Sequence, residues 1–241
     1  DLMNIAIVFA GGTGQRMNTK TRPKQFLELH GKPILVYTLE QFQQHNEIDH
    51  IILVSIQDWL DYCFDLAEKY HLSKICAIIP GGNTGQQSIY KGLSKAAEQF
   101  SGDSIVLIHD GVRPLIDEET ITKDLECVRK HGSAVTVSPA IETIALKGEE
   151  GKVGQIIDRS QCQLAKAPQC FYLKDILDAH YRAQVDGGKE FVDSACLMQN
   201  YGYKLYTVEG TPENIKITTP GDFYIFRAII DARENLQILG I

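Results

Sequence analysis

Residues 4–17 read NIAIVFAGGTGQRM: a short apolar run, rich in β-branched residues, that is halted at once by Gly11, Gly12 and Gly14. A run of that length stopped by glycine is a buried strand ending in a loop. Similar runs end at glycine at Ile75–Ile79, before Pro80-Gly81-Gly82, and at Ser104–His109, before Asp110-Gly111, and Ile51–Ser55 (IILVS) and Ser133–Ser138 also read as strands. Helical stretches separate these strands: Ile34–Gln43, with Pro33 suited to its first position, then Asp58–Tyr70, Gln87–Phe100 and Thr120–His131. Strands alternating with helices predict an α/β class, a Rossmann-like, mostly parallel sheet with helices on both faces. Ligands of such sheets lie at the carboxyl ends of the strands. The Gly11–Gly14 loop, Gly81-Gly82 and His109–Pro114 all fall there.

The alternation stops between about Pro139 and Asp158, where IETIALK and KVGQII flank a polar, glycine-containing turn. This spacing predicts a β-hairpin projecting from the sheet. An exposed hairpin with an apolar face invites a second copy, so the segment at about 139–158 is expected to be a dimerisation arm and the protein a homodimer. Helices near Leu173–Val185 and Asp193–Asn200, a strand at Lys204–Val208, a short strand at Asn214–Thr218 and a helix from Pro220 to Asn235 complete the reading. There is no internal repeat or linker, and residues 1–241 form one expected domain.

Composition narrows the function. The chain has 241 residues, 44% of them hydrophobic, enough for one sizeable core. A net charge of −7 argues against nucleic acid or a membrane surface as partner. For anionic substrates, the positive charge must be gathered in one cleft. The 6 cysteines include no C-x-x-C pair, which disfavours zinc and dithiol chemistry and suits reduced thiols in a cytoplasmic protein. No apolar run approaches the roughly 18 residues of a membrane helix, and the early first strand leaves no room for a signal peptide.

A glycine loop after a first strand presents backbone N–H groups to phosphate oxygens. Arg16 and Lys24, the latter in Arg22-Pro-Lys-Gln25, add positive charge beside it. Two familiar readings fail: a Walker A loop needs Gly-Lys-Ser/Thr where Gln15-Arg16-Met17 stands, and the dinucleotide fingerprint needs a glycine where Met17 stands. The plain alternative is a tight strand-to-helix turn with two surface cations. G-G-x-G-x-R-M followed by P-K-Q resembles the signature of nucleotide-sugar pyrophosphorylases. The P-K-Q form is similar to the cytidylyltransferase branch that contains the D-ribitol-5-phosphate and 2-C-methyl-D-erythritol 4-phosphate cytidylyltransferases.

That resemblance implies an enzyme that moves CMP from CTP onto a sugar-alcohol phosphate with release of pyrophosphate. Carried over, Ala10, Gly11, Gly12, Thr13 and Gly14 bind CTP, while Arg16, Lys24 and Lys216 surround its α-phosphate as the catalytic cations. Gly81-Gly-Asn-Thr-Gly-Gln-Gln-Ser88 matches a cytosine- and ribose-binding segment at Gly82, Asn83 and Ser88, with Gly85 where an arginine is common. Its plain alternative is a loop and a helix capped by Ser88. His109-Asp-Gly-Val-Arg-Pro114 places Asp110 at a strand end, facing a Mg²⁺–phosphate group or the incoming polyol, and Asp110 is the candidate metal ligand. Arg113 binds phosphate or orients Asp110 as an ion pair, and His109 reads as a brace rather than a base. The resemblance assigns Thr143 and Arg159, with Lys216, to the acceptor. No general base is needed, because a phosphate monoester with a second pKa of about 6 is already ionised.

Asp-Gly-Val-Arg, Lys166-Ala-Pro-Gln169 and Pro-Ala-Ile-Glu-Thr depart from the methylerythritol pattern and lean the acceptor towards D-ribitol 5-phosphate. 2-C-methyl-D-erythritol 4-phosphate is the alternative, and a non-catalytic nucleotide-binding regulator the alternative of another class.

Overall fold

The computed structural model describes residues 2–10 and 22–240. The Gly11–Gly14 loop and Arg16 therefore lie outside the described residues. In chain order the strands are β1 (Asn4–Ala10), β2 (Glu28–Leu29), β3 (Lys32–Pro33), β4 (His50–Ser55), β5 (Ile75–Pro80), β6 (Ile105–Asp110), β7 (Ser133–Pro139), β8 (Ile144–Lys147), β9 (Val153–Ile157), β10 (Gln163–Tyr172) and β11 (Thr207–Glu209). The helices are α1 (Ile34–Gln44), α2 (Leu60–Lys69), α3 (Gly85–Gln99), α4 (Glu118–His131), α5 (Leu173–Val185), α6 (Ser194–Asn200) and α7 (Pro220–Leu239).

Seven strands make the main sheet in the order β11-β7-β10-β6-β1-β4-β5. All its pairings are parallel except the two made by β10, which runs against β6 and β7. Alternation along β1 builds both cores. Ala6 and Val8 join Leu35, Leu39 and Phe42 of α1 and Ile121 and Leu125 of α4 on one face. Ile5 and Ile7 join Leu93 of α3, Ile176 of α5 and Leu197 of α6 on the other. A strand buried on both faces must read as a continuous apolar run, and β1 does.

A third cluster, Leu29, Ile34, Val112, Leu115, Ile217 and Phe226, ties α7 to the β2–β3 hairpin and to the segment after β6. It matters for the site because Ile217 donates its N–H to Val112 O at 2.9 Å, fixing the residues around Lys216 beside the end of β6. The segment Asn214–Thr218 is not a strand, contrary to the sequence expectation. Ile215 and Ile217 do alternate into the third cluster, yet no neighbouring strand extends the ladder.

β8 and β9 pair only with each other, antiparallel, as a sheet separate from the main one. Leu146, Val153 and Ile156 on this hairpin are exposed, as are Ile141 and Leu164 at its base. Among the described residues no helix is long and apolar enough to cross a membrane.

Candidate active site

β1 and β6 lie side by side, so Ala10 and Asp110 end together at the carboxyl edge of the sheet. The turn after β6 is tight: a Cβ on Gly111 would sit 2.9 Å from Ala10 Cβ and 3.0 Å from Leu35 Cδ1, so only glycine lets the two strand ends approach. Gln25 is fully buried and donates from Nε2 to Ala10 O at 3.0 Å. That bond anchors the Pro-Lys-Gln turn against the strand end. Lys24, Lys216 and Asp110 consequently line one small cavity of about 80 Å³ with Ala10 and Gln25.

Asp110 holds two cations. Its Oδ2 accepts from Arg113 Nε at 2.9 Å, and its Oδ1 lies 3.3 Å from Lys216 Nζ. Burial would raise this carboxyl, but Lys216 and then Arg113 hold it below its ordinary value, so it is ionised. Arg113 also donates from Nη1 to Asn214 O at 2.8 Å. Arg113 is thus the orienting ion pair as well as a wall of the cleft. His109 is buried with Nε2 3.0 Å from Arg113 O, and burial pushes its pKa down to about 4. A carbonyl partner requires the proton on Nε2, so the imidazole is a neutral donor that braces the turn.

A larger cavity of about 380 Å³ opens next to the first and shares Phe9, Asp110 and Lys216 with it. One wall is the start of α3, with Thr84, Gly85 and Gln86. Thr84, not Ser88, caps α3, accepting from Gln87 N–H at 3.2 Å. Ser88 instead accepts from Gly82 N–H at 3.0 Å and folds the loop inward. Gly82, Asn83 and Ser88 shape this loop, while the residues that follow or separate them face the cavity. The segment at residues 189–191 is strapped across: Gln86 Nε2 donates to Lys189 O at 2.9 Å, and Phe191 N–H donates to Gln86 Oε1 at 2.8 Å. His180, 2% exposed on the cavity wall, is held neutral by burial with its pKa lowered to about 4.

The remaining wall is β10, which the sequence reading did not assign as a strand. Its register against β7 shifts between Ala165 and Gln169, around Pro168, and the bulge turns Lys166 towards the cavity. The bulge is held from three sides. Asn214 Nδ2 donates to Ala167 O at 2.7 Å, Gln169 Nε2 donates to Asp193 Oδ2 at 3.2 Å, and Gln169 Oε1 accepts from Ala195 N–H at 2.8 Å. Beneath it, Thr136 Oγ1 lies 2.7 Å from Pro168 O and 2.8 Å from Asp124 Oδ2. One hydroxyl has one hydrogen. Both contacts are satisfied only if Asp124 is protonated and donates to Thr136, which donates to Pro168 O. Burial agrees, raising the Asp124 carboxyl well above its ordinary value.

The structure thus brings together Ala10, Lys24, Asp110, Arg113 and Lys216. Thr143 and Arg159 do not line either cavity of their own chain; Arg159 sits by the base of the hairpin and donates from Nη1 to Ile141 O at 2.7 Å. Gln86 and Glu190 line the cleft without having been singled out from sequence, and Lys166, noted there only within Lys166-Ala-Pro-Gln169 as a departure bearing on the acceptor, lines it too.

Residues 4–232 match the family model described as IspD, 2-C-methyl-D-erythritol 4-phosphate cytidylyltransferase. Relatives named ribitol-5-phosphate cytidylyltransferase are 52% identical in Vibrio parahaemolyticus, over 99% of this chain and 100% of that one, and 51% identical in Streptococcus agalactiae, over 100% of both. A 2-C-methyl-D-erythritol 4-phosphate cytidylyltransferase of Clostridium botulinum is 36% identical over 95% of this chain and 97% of its own. The crystal structure of 4-diphosphocytidyl-2C-methyl-D-erythritol synthase from Anaerococcus prevotii superposes with a TM-score of 0.80 at 29% identity, covering 95% of this chain and 96% of that one.

Proposed function

The chain belongs to the IspD family of cytidylyltransferases, and on that premise we propose that it transfers CMP from CTP to D-ribitol 5-phosphate, giving CDP-ribitol and pyrophosphate. The convergence of Lys24, Lys216 and Asp110 on one small cavity at the sheet's carboxyl edge carries the transfer chemistry. The 52% identity to ribitol-5-phosphate cytidylyltransferases supports the acceptor.

An ionised oxygen of the acceptor phosphate attacks the α-phosphorus of CTP. The new P–O bond forms as the bond to the β-phosphate oxygen breaks, and pyrophosphate carries away the charge. Such a transfer needs alignment and neutralisation rather than covalent help. Lys24 and Lys216 supply fixed positive charge where negative charge builds, and Arg113 keeps Asp110 aligned beside them. Arg16 is assigned with them on the resemblance.

Mg²⁺ is the expected metal. Asp110 fits the part of a single protein ligand: it is ionised, Arg113 occupies Oδ2 at 2.9 Å, and Oδ1 makes a longer 3.3 Å contact with Lys216 that a metal could replace. Water and phosphate oxygens would complete its shell. The ion would neutralise the triphosphate.

The protein acts as a cytoplasmic homodimer joined through the β8–β9 hairpin, whose exposed Leu146, Val153 and Ile156 favour a self-contact. Thr143 and Arg159, absent from the cleft of their own chain, then serve the acceptor in the partner's cleft.

Pyrophosphate release by wild type, Lys24→Ala and Lys216→Ala tests the transfer chemistry. Each variant should lose roughly 10²–10³ in kcat, the usual effect of removing one preorganised charge-stabilising donor. Circular dichroism should be unchanged. Near-normal turnover in either variant removes that lysine from the reaction.

A further inference from the structure

Among the described residues the cleft holds one cation that the transfer chemistry has not used. Lys166 reaches the 380 Å³ cavity from the β10 bulge, on the same wall system as Asp110, Arg113 and Lys216. Among the described residues its ammonium meets only carbonyl oxygens, Pro212 O and Asn214 O, each at 3.3 Å. These contacts are long for a charged donor, whose bonds to a full anion are typically about 2.7–2.9 Å. Asn214 O is shared with Arg113 at 2.8 Å, so one carbonyl gathers two cations. Burial, and then Arg113, lower the Lys166 pKa. A position that is costly for a cation when empty is suited to an anion when filled.

Ion pairing points to the kind of group. Arg113, Lys166 and Lys216 line the cleft with the carboxylates of Asp110, Glu190 and Asp193. Among the described residues only Asp110 pairs with these cations, with Arg113 and with Lys216. Glu190 is hydrogen-bonded to Thr84, and Asp193 to Gln169 and the Cys196 N–H. Lys166 is therefore left without a carboxylate beside two cations that share one, an arrangement suited to the oxyanion of a phosphate monoester.

We infer that Lys166 is a specificity-determining residue that binds the phosphate of the acceptor, so that the β10 bulge selects a phosphorylated polyol over the free one. This deepens the function proposed above and rests on it for the identity of the acceptor.

The test is Lys166→Gln, which keeps length and polarity and removes the charge, with Lys166→Arg as the conservative control. Steady-state pyrophosphate release is measured with CTP and D-ribitol 5-phosphate, and the same ligand is titrated calorimetrically without CTP. Lys166→Gln should raise the acceptor KM and Kd by about tenfold or more, as loss of a charge-assisted contact does. Its kcat and its KM for CTP should stay within about twofold, and Lys166→Arg should recover most of the loss. An acceptor KM and Kd unchanged by Lys166→Gln overturns the inference. So does an equal rise in KM for CTP, which would mark Lys166 as a brace for Asn214 or a triphosphate contact. If wild type binds D-ribitol 5-phosphate without turning it over, the proposed function fails while the titration still decides Lys166; if wild type does not bind it, both fail.

Discussion

Asp110→Asn removes one negative charge and keeps the side-chain shape, so it isolates what the carboxylate does for Arg113 and Lys216. The side chains of Asp110 and Arg113 are each 12% exposed and 2.9 Å apart. Breaking such a nearly buried pair from one side costs about 3–5 kcal/mol when the remaining charge is stranded. Arg113 is not wholly stranded, because it keeps its 2.8 Å bond to Asn214 O and the asparagine oxygen can still accept from Nε. The loss therefore falls at or just below the bottom of that range, at about 2–3 kcal/mol. The Lys216 side chain is 44% exposed, and solvent limits its share to a few tenths of a kcal/mol.

For a chain of this length that loss lowers the thermal midpoint by roughly 4–12 °C. Urea unfolding and differential scanning fluorimetry at pH 7.5 read it directly. The pH dependence carries the sign of the account. Asp110 has its pKa lowered in the folded protein, so its contribution is present above the ordinary carboxylate range and is lost as pH falls through the folded value. The gap between wild type and variant should be full near neutrality and close in strong acid. Pyrophosphate should also raise the midpoint more in Asp110→Asn than in wild type, since it replaces the missing charge. A variant that melts within 1 °C of wild type at pH 7.5, the width of one reading, refutes the reasoning about this ion pair.

Other outcomes follow from the same geometry. Asp124 has a raised pKa, so its neutral form is favoured by folding and wild-type stability should fall as pH rises past the ordinary carboxylate range. Asp124→Asn keeps a donor to Thr136 and should abolish that slope in urea titrations, whereas Asp124→Ala should cost about 1–3 kcal/mol by breaking the chain to Pro168 O. Arg159→Ala should raise the acceptor KM roughly 10- to 100-fold through loss of a charged hydrogen bond; a selective rise in the KM for CTP contradicts the assignment. If the proposed homodimer forms through this hairpin, Val153→Glu with Ile156→Glu should weaken it at least about a hundredfold in sedimentation equilibrium, because charges buried in that contact would have no partner. An unaltered dimer would place the interface elsewhere.

The parts of the fold legible in sequence are those set by short-range rules. β1 and β6 are apolar on both faces and end at Gly or Asp-Gly, so strand, direction and ligand edge follow from residues in a row. β10 was hidden because Pro168 stands inside it, and a proline argues against a central strand. The sheet accepts it at a bulge that Asn214, Asp193 and Ala195 hold from outside the strand, a long-range arrangement with no local signal. Pro33 was expected as the first residue of α1 and is its N-cap, pairing within β3.

The site divides in the same way. Lys24, Asp110 and Lys216 could be picked out because each sits in a motif at a strand or loop end, and they do meet. Lys166 stood out only within a segment that departs from the methylerythritol pattern; its place beside Arg113 and Asn214, far away in the chain, had no local signal. Thr143 and Arg159 were assigned to the acceptor on resemblance alone, and one chain does not carry them to the cleft.

The most direct measurement is the rate of pyrophosphate release with CTP and Mg²⁺, comparing D-ribitol 5-phosphate with 2-C-methyl-D-erythritol 4-phosphate. The account predicts a kcat/KM for ribitol 5-phosphate higher by at least about tenfold, a difference of about 1.4 kcal/mol in transition-state binding. A preference for the methylerythritol acceptor, or equal use of both, contradicts it.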